Sequence, residues 1–171
     1  MLESSASPSD SSREHTYGRA PLRVCVRRGS VPDDRGSTVR VETRIPSDIS
    51  AIEEAVDLIA RHCLSGTVTT SRLRFNLCVV LSESLANAII CGNQQDPTKW
   101  VDVLVELRPD VIEVQVTDEG DGFDPATVPD PTTPEDLEEP CGRGLFLIKS
   151  LVDEVRFNPK GNSICLMLRR Q

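Results

Sequence analysis

Three short segments place polar or backbone-permissive residues where an apolar core has no use for them. In Glu83-Ser-Leu-Ala-Asn87 a carboxylate and an amide stand four residues apart inside an otherwise apolar stretch. That spacing is about one helical turn, so Glu83 and Asn87 share a face. Among Leu81, Leu85, Ile89 and Ile90 both are costly to bury unless a partner or ligand takes their polar atoms. An amide oxygen suits Mg2+, and a carboxylate is a base toward a hydroxyl or water. In Asp118-Glu-Gly-Asp-Gly122 an aspartate closes an alternating run and two glycines follow. The glycines admit a ligand close to the backbone while the carboxylate accepts a hydrogen bond, for which an adenine amino group is a suitable donor. Gly142-Arg-Gly144-Leu-Phe-Leu-Ile opens a helical run with a glycine pair, the arrangement that offers backbone N–H groups to phosphate. Each segment alone has an ordinary reading: a helix face turned to solvent, a turn, a bare helix start.

The elements that must carry these groups follow from periodicity. Residues 22–26 suit a short strand, and 39–45 alternate as a half-buried strand that Pro46 stops. Ser50-Ala-Ile-Glu53 has the form of a capping box, with Ile49, Ile52, Val56, Ile59 and Cys63 at helical spacing behind it and Gly66 as the stop. A second helix starts near Ser71 and runs through Leu73, Leu77, Leu81, Leu85 and Ile89 to Gly92, apolar enough to be buried. Residues 100–107 and 111–117 alternate and are joined by Arg108-Pro109-Asp110, a hairpin signal. Between Glu119 and Pro140 lie five prolines and no periodicity, a loop of the length that is functional or disordered. Residues 144–152 return to helix, 155–157 and 163–168 read as strands, and Asn158-Pro-Lys-Gly-Asn162 is the turn between them. The expected fold is α+β: a two-layer sandwich with helices on one face of a mixed, largely antiparallel sheet.

Composition bounds the function classes. The chain has 171 residues and a formal net charge of −8, which argues against a broad electrostatic grip on nucleic acid or an anionic membrane. Residues 1–44 hold eight arginines against six acids, while the remainder holds 11 basic and 21 acidic residues. With six serines in its first twelve residues, the N-terminus reads as an ordering-poor tail, and 1–37 as a loosely ordered arm before a domain at 38–171. No apolar run approaches the roughly 20 residues of a membrane-spanning helix, and no signal-peptide core is evident, so a cytoplasmic protein is expected. The six cysteines form no CxxC pair, and most of them, as in Leu77-Cys78-Val79 and Ile164-Cys165-Leu166, are expected to be small core residues in a reducing compartment.

In this order and spacing, the three segments resemble the N, G1 and G2 boxes of the GHKL ATPase superfamily (gyrase B, histidine kinases, MutL). The run Gly-Arg-Gly-Leu-Phe-Leu-Ile-Lys-Ser-Leu-Val-Asp-Glu-Val narrows the resemblance to RsbW-like anti-sigma-factor serine kinases, over residues 39–170. The resemblance implies a Bergerat-type ATP-binding fold with Glu83 as the base toward an attacking hydroxyl and Asn87 as the Mg2+ ligand. It implies that Asp118 holds the adenine amino group, that Gly120 and Gly122 give clearance, and that Gly142, Arg143 and Gly144 shape the phosphate end. Residues 123–141 become a lid over ATP. The implied partners are an anti-anti-sigma protein of the STAS fold, phosphorylated on serine, and a sigma factor that the same surface sequesters; family members commonly form homodimers. Two features depart from the pattern. Cys91-Gly92 stands where His-Gly is frequent, and residues 119–140 contain eight acids and no Lys or Arg, leaving Mg2+, Arg143 and Lys149 to offset phosphate charge. An acidic lid, including Glu135, Asp136, Glu138 and Glu139, should weaken nucleotide binding or slow transfer. The alternative is therefore a nucleotide-binding regulatory module with little or no transfer. A fragment of a histidine-kinase system fits less well, since His15 lies in the tail and His62 in a core-like helix.

Overall fold

The structure is a computed structural model that describes residues 22–30, 37–64, 70–125 and 140–170. Six strands form one sheet: β1 (Arg23–Ser30), β2 (Ser37–Pro46), β3 (Trp100–Leu107), β4 (Val111–Asp118), β5 (Glu154–Phe157) and β6 (Ser163–Arg169). Their spatial order is β1-β2-β3-β4-β6-β5, and every pairing among the described residues is antiparallel, so the mixed component of the expected sheet is not found there. Short links account for β1–β2, β3–β4 and β5–β6, while β2 reaches β3 through α1 and α2, and β4 reaches β6 through α3 and β5. At the β3–β4 turn the Arg108 N–H donates to the Val111 carbonyl at 2.9 Å. Strand β1 lies within the stretch 1–37 and pairs along its length with β2, from Arg23 opposite Arg44 to Ser30 opposite Ser37.

Three helices cover one face: α1 (Ile52–Leu64), α2 (Ser71–Asn87) and α3 (Pro140–Leu151). The alternation that predicts the strands sets this sidedness. Val41 and Ile45 of β2, Val101, Val103, Val105 and Leu107 of β3, and Ile112, Val114 and Val116 of β4 point into the core. Against them pack Ile59 of α1, Leu77, Leu81 and Leu85 of α2 and Ile148 of α3, all fully buried. Each such side chain contributes about 1.5–3 kcal/mol of apolar burial. The other sheet face is polar, with Arg40 bridging Glu42 at 2.7 Å and Glu106 at 3.1 Å.

Helix starts depart from expectation in one place. The cap before α1 is Asp48, whose Oδ1 accepts the Ser50 N–H at 2.9 Å and the Ser50 hydroxyl at 2.6 Å. This local bond favours a short 3-10 turn, Ile49–Ala51, so the Ser50–Glu53 box does not form the cap. Helix α2 begins as expected, with Thr70 Oγ1 accepting the Leu73 N–H. Beyond Asn87 it continues as a π turn, Ala88–Gly92, closed by the Asn93 N–H on the Ala88 carbonyl at 2.7 Å. Gln94 and Gln95 then take φ near +57°, which ends the helix. Ser71–Gly92 is thus one 22-residue apolar helix, longer than the runs counted by sequence and long enough to cross a membrane by length and composition alone. Leu77, Leu81, Leu85 and Ile89 are wholly buried against the sheet, which marks it as the core helix of this fold.

Of the thiols, Cys25, Cys63, Cys78 and Cys165 are free, and burial pushes Cys63 up to about 12. Cys91 corrects the reading of the thiols as reduced core residues: it is exposed on the π turn and disulfide-bonded.

Candidate functional site

Helix α2 carries the first pair of site residues. Glu83 and Asn87 are half-buried one turn apart on the side toward α3, and among the described residues neither side chain has a hydrogen-bond or ion-pair partner. The reason α3 approaches so closely is Gly144. A Cβ there would lie 2.8 Å from Glu83 Oε2, 3.2 Å from Asn87 Nδ2 and 3.3 Å from Asn87 Oδ1. The structure therefore brings the second glycine of Gly142-Arg-Gly144 directly over the carboxylate–amide pair. Gly142 and Arg143 lie in the first turn of α3, where backbone N–H groups have no intrahelical acceptor; the Arg143 side chain lies outside the described residues. Lys149 is not brought in. It is exposed, five residues beyond Gly144 and so on a different side of α3.

Asp118 closes β4 beside Gly92, where the same helix ends. Its Oδ1 accepts the Gly120 N–H at 2.8 Å, its own N–H donates to the Asn162 carbonyl at 2.9 Å, and its carbonyl accepts Asn162 Nδ2 at 2.7 Å. Burial raises its carboxyl above the ordinary value, against the lowering effects of the Gly120 bond, its own backbone N–H and the Lys160 and Lys99 charges. Asp118 Oδ2 has no protein donor among the described residues, which leaves it available to a ligand amino group.

The fit between α2 and this loop depends on glycine. A Cβ on Gly92 would lie 2.4 Å from Asp118 Cγ, and one on Gly120 would lie 2.1 Å from the Gly92 carbonyl oxygen. Gly122 has φ +78°, and a Cβ there would meet the Lys160 carbonyl oxygen at 2.0 Å. Gly120 and Gly122, expected to give clearance around a base, here make room for the backbone of Gly92 and of the β5–β6 turn. Lys160 adds a bond from Nζ to the Gly120 carbonyl at 2.8 Å.

Sequence reasoning missed Gly92, Asn93, Lys160 and Asn162 as site residues. Asn93 is fully buried between exposed or half-exposed neighbours, and nothing in the local pattern distinguishes it from a solvated turn. Asn162 and Lys160 belong to a segment legible only as a turn. The loop expected to act as a lid is described as far as Pro125 and again from Pro140; its acids Glu135, Asp136, Glu138 and Glu139 lie outside the described residues. A separate cavity of about 370 Å³ opens on the polar sheet face, among Cys25, Glu42, Arg44, Asp102, Gln115 and Thr117. It contains none of the predicted site residues.

The residues present fit a nucleotide and its metal. The unpartnered Asn87 amide and Glu83 carboxylate face space that a single methyl on Gly144 would fill, and the desolvated Asp118 faces the other end with one oxygen unused. Asn87 would hold Mg2+ through its amide oxygen.

Residues 45–168 match the family model of the histidine kinase-like ATPase domain. The chain is 29% identical to the serine-protein kinase RsbW of Oceanobacillus iheyensis over 119 residues, 64% of this chain and 75% of that kinase. It is 31% identical to the serine-protein kinase RsbW of Staphylococcus aureus, in strains bovine RF122 and MRSA252, over 126 residues, 67% of this chain and 76% of those kinases.

Proposed function

Since the chain belongs to the histidine kinase-like ATPase domain family, we propose that it binds ATP with Mg2+ and transfers the γ-phosphoryl group to a serine or threonine hydroxyl of a protein partner. The observation that carries this reading is the pairing of unpartnered Glu83 and Asn87 under Gly144, on the helix whose far end meets Asp118. Glu83 and Gly92 are nine residues apart, about 13 Å along a helix. That is the scale of a nucleoside triphosphate from base to terminal phosphate.

In this reading Asp118 accepts the adenine amino group, and its neighbours Gly92 and Gly120 leave room for the flat base. The first turn of α3 presents N–H groups to the phosphates, with Gly142 and Gly144 permitting close approach. Mg2+, when bound, offsets charge on the phosphate oxygens. Glu83 accepts the proton of the partner hydroxyl as its oxygen bonds to the γ-phosphorus; the bond to the β–γ bridging oxygen breaks and ADP leaves. The partner is proposed, by analogy with the RsbW kinases, to be a STAS-type anti-anti-sigma protein, with a sigma factor as a sequestered ligand in a cytoplasmic partner-switching circuit.

A second reading, a nucleotide-binding regulatory module with weak transfer, draws on the acids Glu119, Asp121 and Asp124 in the described part of the loop and on the outward placement of Lys149. One experiment separates the two. Calorimetric titration of Mg·ATP into the wild type, Asn87→Ala and Glu83→Gln is followed by phosphotransfer to candidate STAS proteins. Binding lost in Asn87→Ala, with transfer reduced about 10²–10⁴-fold but binding retained in Glu83→Gln, is the kinase outcome. Binding without transfer in the wild type favours the regulatory module, and no binding by the folded wild type refutes both.

A further inference from the structure

We propose that Asn93 is a positioning residue of the nucleotide site, setting the place of the Asp118 carboxylate through a closed ring of hydrogen bonds with Trp100 and Glu119. The inference rests on the reading of Asp118 as the adenine acceptor and adds a residue to it.

Asn93 is wholly buried, an expensive place for an amide unless both of its ends are satisfied. Both are. Nδ2 donates to the Trp100 carbonyl at 2.9 Å, and Oδ1 accepts the Glu119 N–H at 2.9 Å. The ring closes because the Trp100 N–H donates to Glu119 Oε2, also at 2.9 Å. It is tied to the far side of the sheet by Arg44, which donates to Glu119 Oε1 at 2.5 Å and lies 5.4 Å from the centroid of the Trp100 ring.

The members of this ring sit next to the residues that meet in the site. Gly92 precedes Asn93, and Asp118 precedes Glu119; Gly92 abuts Asp118 where Asn93 bonds Glu119. The ring therefore sets how far the end of α2 stands from the end of β4, and so where the Asp118 oxygens lie at the mouth of the base site. On the opposite side Asp118 is held by Asn162 of the β5–β6 turn. Without Asn93, no side chain among the described residues bonds the end of the π turn to the segment after β4; the bonds to Asn162 and Lys160, the internal Gly120 bond and the Trp100–Glu119 bond hold that segment from the sheet side alone. Other side chains do not substitute: Asp lacks the donor for Trp100, Ser is too short to span both partners, and Ala offers neither group.

A general packing role and a positioning role predict different things. The test uses the full chain and two probes, ATP and inosine triphosphate, which carries a carbonyl in place of the adenine amino group. Wild type should prefer ATP, and Asp118→Asn should abolish the preference. Asn93→Ala should weaken ATP binding about tenfold or more and bring the ratio of the two affinities toward one. Asn93→Asp keeps the acceptor for the Glu119 N–H and should retain more of the ratio. Glu119→Ala breaks the ring from an exposed residue and should lower the ratio if Asn93→Ala does not fold. Equal weakening of both nucleotides, or an unchanged ratio in a folded variant, overturns the proposal. If wild type binds neither nucleotide, the ATP reading fails separately, and hydrogen exchange at the Gly120 amide, which bonds Asp118 Oδ1, decides the positioning claim. Exchange about tenfold faster at Gly120 with β5 and β6 unchanged supports it, and unchanged exchange overturns it.

Discussion

Gly92→Ala measures recognition of the base beside stability of the fold. The added methyl would stand 2.4 Å from Asp118 Cγ and 2.6 Å from each carboxylate oxygen. Comfortable carbon–carbon contact begins near 3.5 Å, so the carboxylate must retreat by about 1 Å. It cannot simply swing aside, because Oδ1 is held by the Gly120 N–H and the Gly120 backbone is itself packed against the Gly92 carbonyl. An adenine N–H···O bond of about 2.9 Å lengthened by that amount is no longer a hydrogen bond. A bond to a charged acceptor is worth about 1.5–3 kcal/mol, so ATP affinity should fall about 10- to 150-fold. Overpacking of this kind costs about 1–3 kcal/mol, and about 1 kcal/mol of it is offset because Gly92 is not in the left-handed region and alanine is the better helix former, so stability should fall by no more than about 2 kcal/mol. Titration calorimetry with ATP and inosine triphosphate, beside a urea midpoint for each variant, reads both quantities. Retention of full ATP affinity in a folded Gly92→Ala protein would show that the adenine amino group does not sit on Asp118.

Gly144→Ala should act at the opposite end. Its methyl meets Glu83 Oε2 at 2.8 Å, but that atom ends a flexible side chain, so the fold should keep its stability while Mg·ATP affinity drops, as calorimetry beside a urea midpoint would show. Asp118 should give pH dependence of opposite sign in two measurements. Because burial raises its folded value, the folded state holds its proton over a window where the unfolded chain has released it; stability therefore falls as pH rises through that window. ATP binding, which needs the ionised acceptor, should rise over the same window, and Asp118→Asn should remove both slopes; a slope that survives in the variant assigns it elsewhere. Cys63, with its thiol pushed up to about 12 in the core, should resist iodoacetamide at pH 8 and become labelled at the rate of global unfolding. Labelling within the native state would mean that α1 opens locally.

The periodic elements were legible because each buries one face. Leu73, Leu77, Leu81, Leu85 and the alternating valines of β3 and β4 announce both their structure and their inward side. The candidate site stood out because Glu83, Asn87, Asp118 and Gly144 are costly or unusual where they stand, whatever surrounds them. What escaped was the joinery. The Asp48 cap depends on a carboxylate competing locally with the Ser50–Glu53 pattern, and the π turn after Asn87 widens a helix whose residue types would equally continue as α. Gly92 and Asn93 acquire their roles only from Asp118 and Glu119, some 26 residues away in the chain, and a long-range contact leaves no local signature.

The distribution of satisfied and unsatisfied polar groups argues for a ligand at α2 more strongly than any one motif. Elsewhere in the interior, polar side chains close on one another: Asn93 with Trp100 and Glu119, Asn158 with Asn162 at 2.9 Å, and the Thr117 and Ser163 hydroxyls at 2.7 Å. Two buried hydroxyls break the pattern among the described residues, Ser47 at the end of β2 and Ser84 on α2. Ser84 stands beside Glu83, so Glu83, Ser84 and Asn87 concentrate three unpartnered polar groups within five residues. The wholly buried Ser84 hydroxyl costs about 1–3 kcal/mol without a partner, while the half-buried Glu83 and Asn87 keep their polar atoms open to solvent or a ligand. A helix that served only as core would do better with leucine or alanine at each of these positions. The chain instead keeps a base and an amide beneath a glycine that leaves them uncovered. Such a deficit is retained where a bound molecule makes the missing bonds.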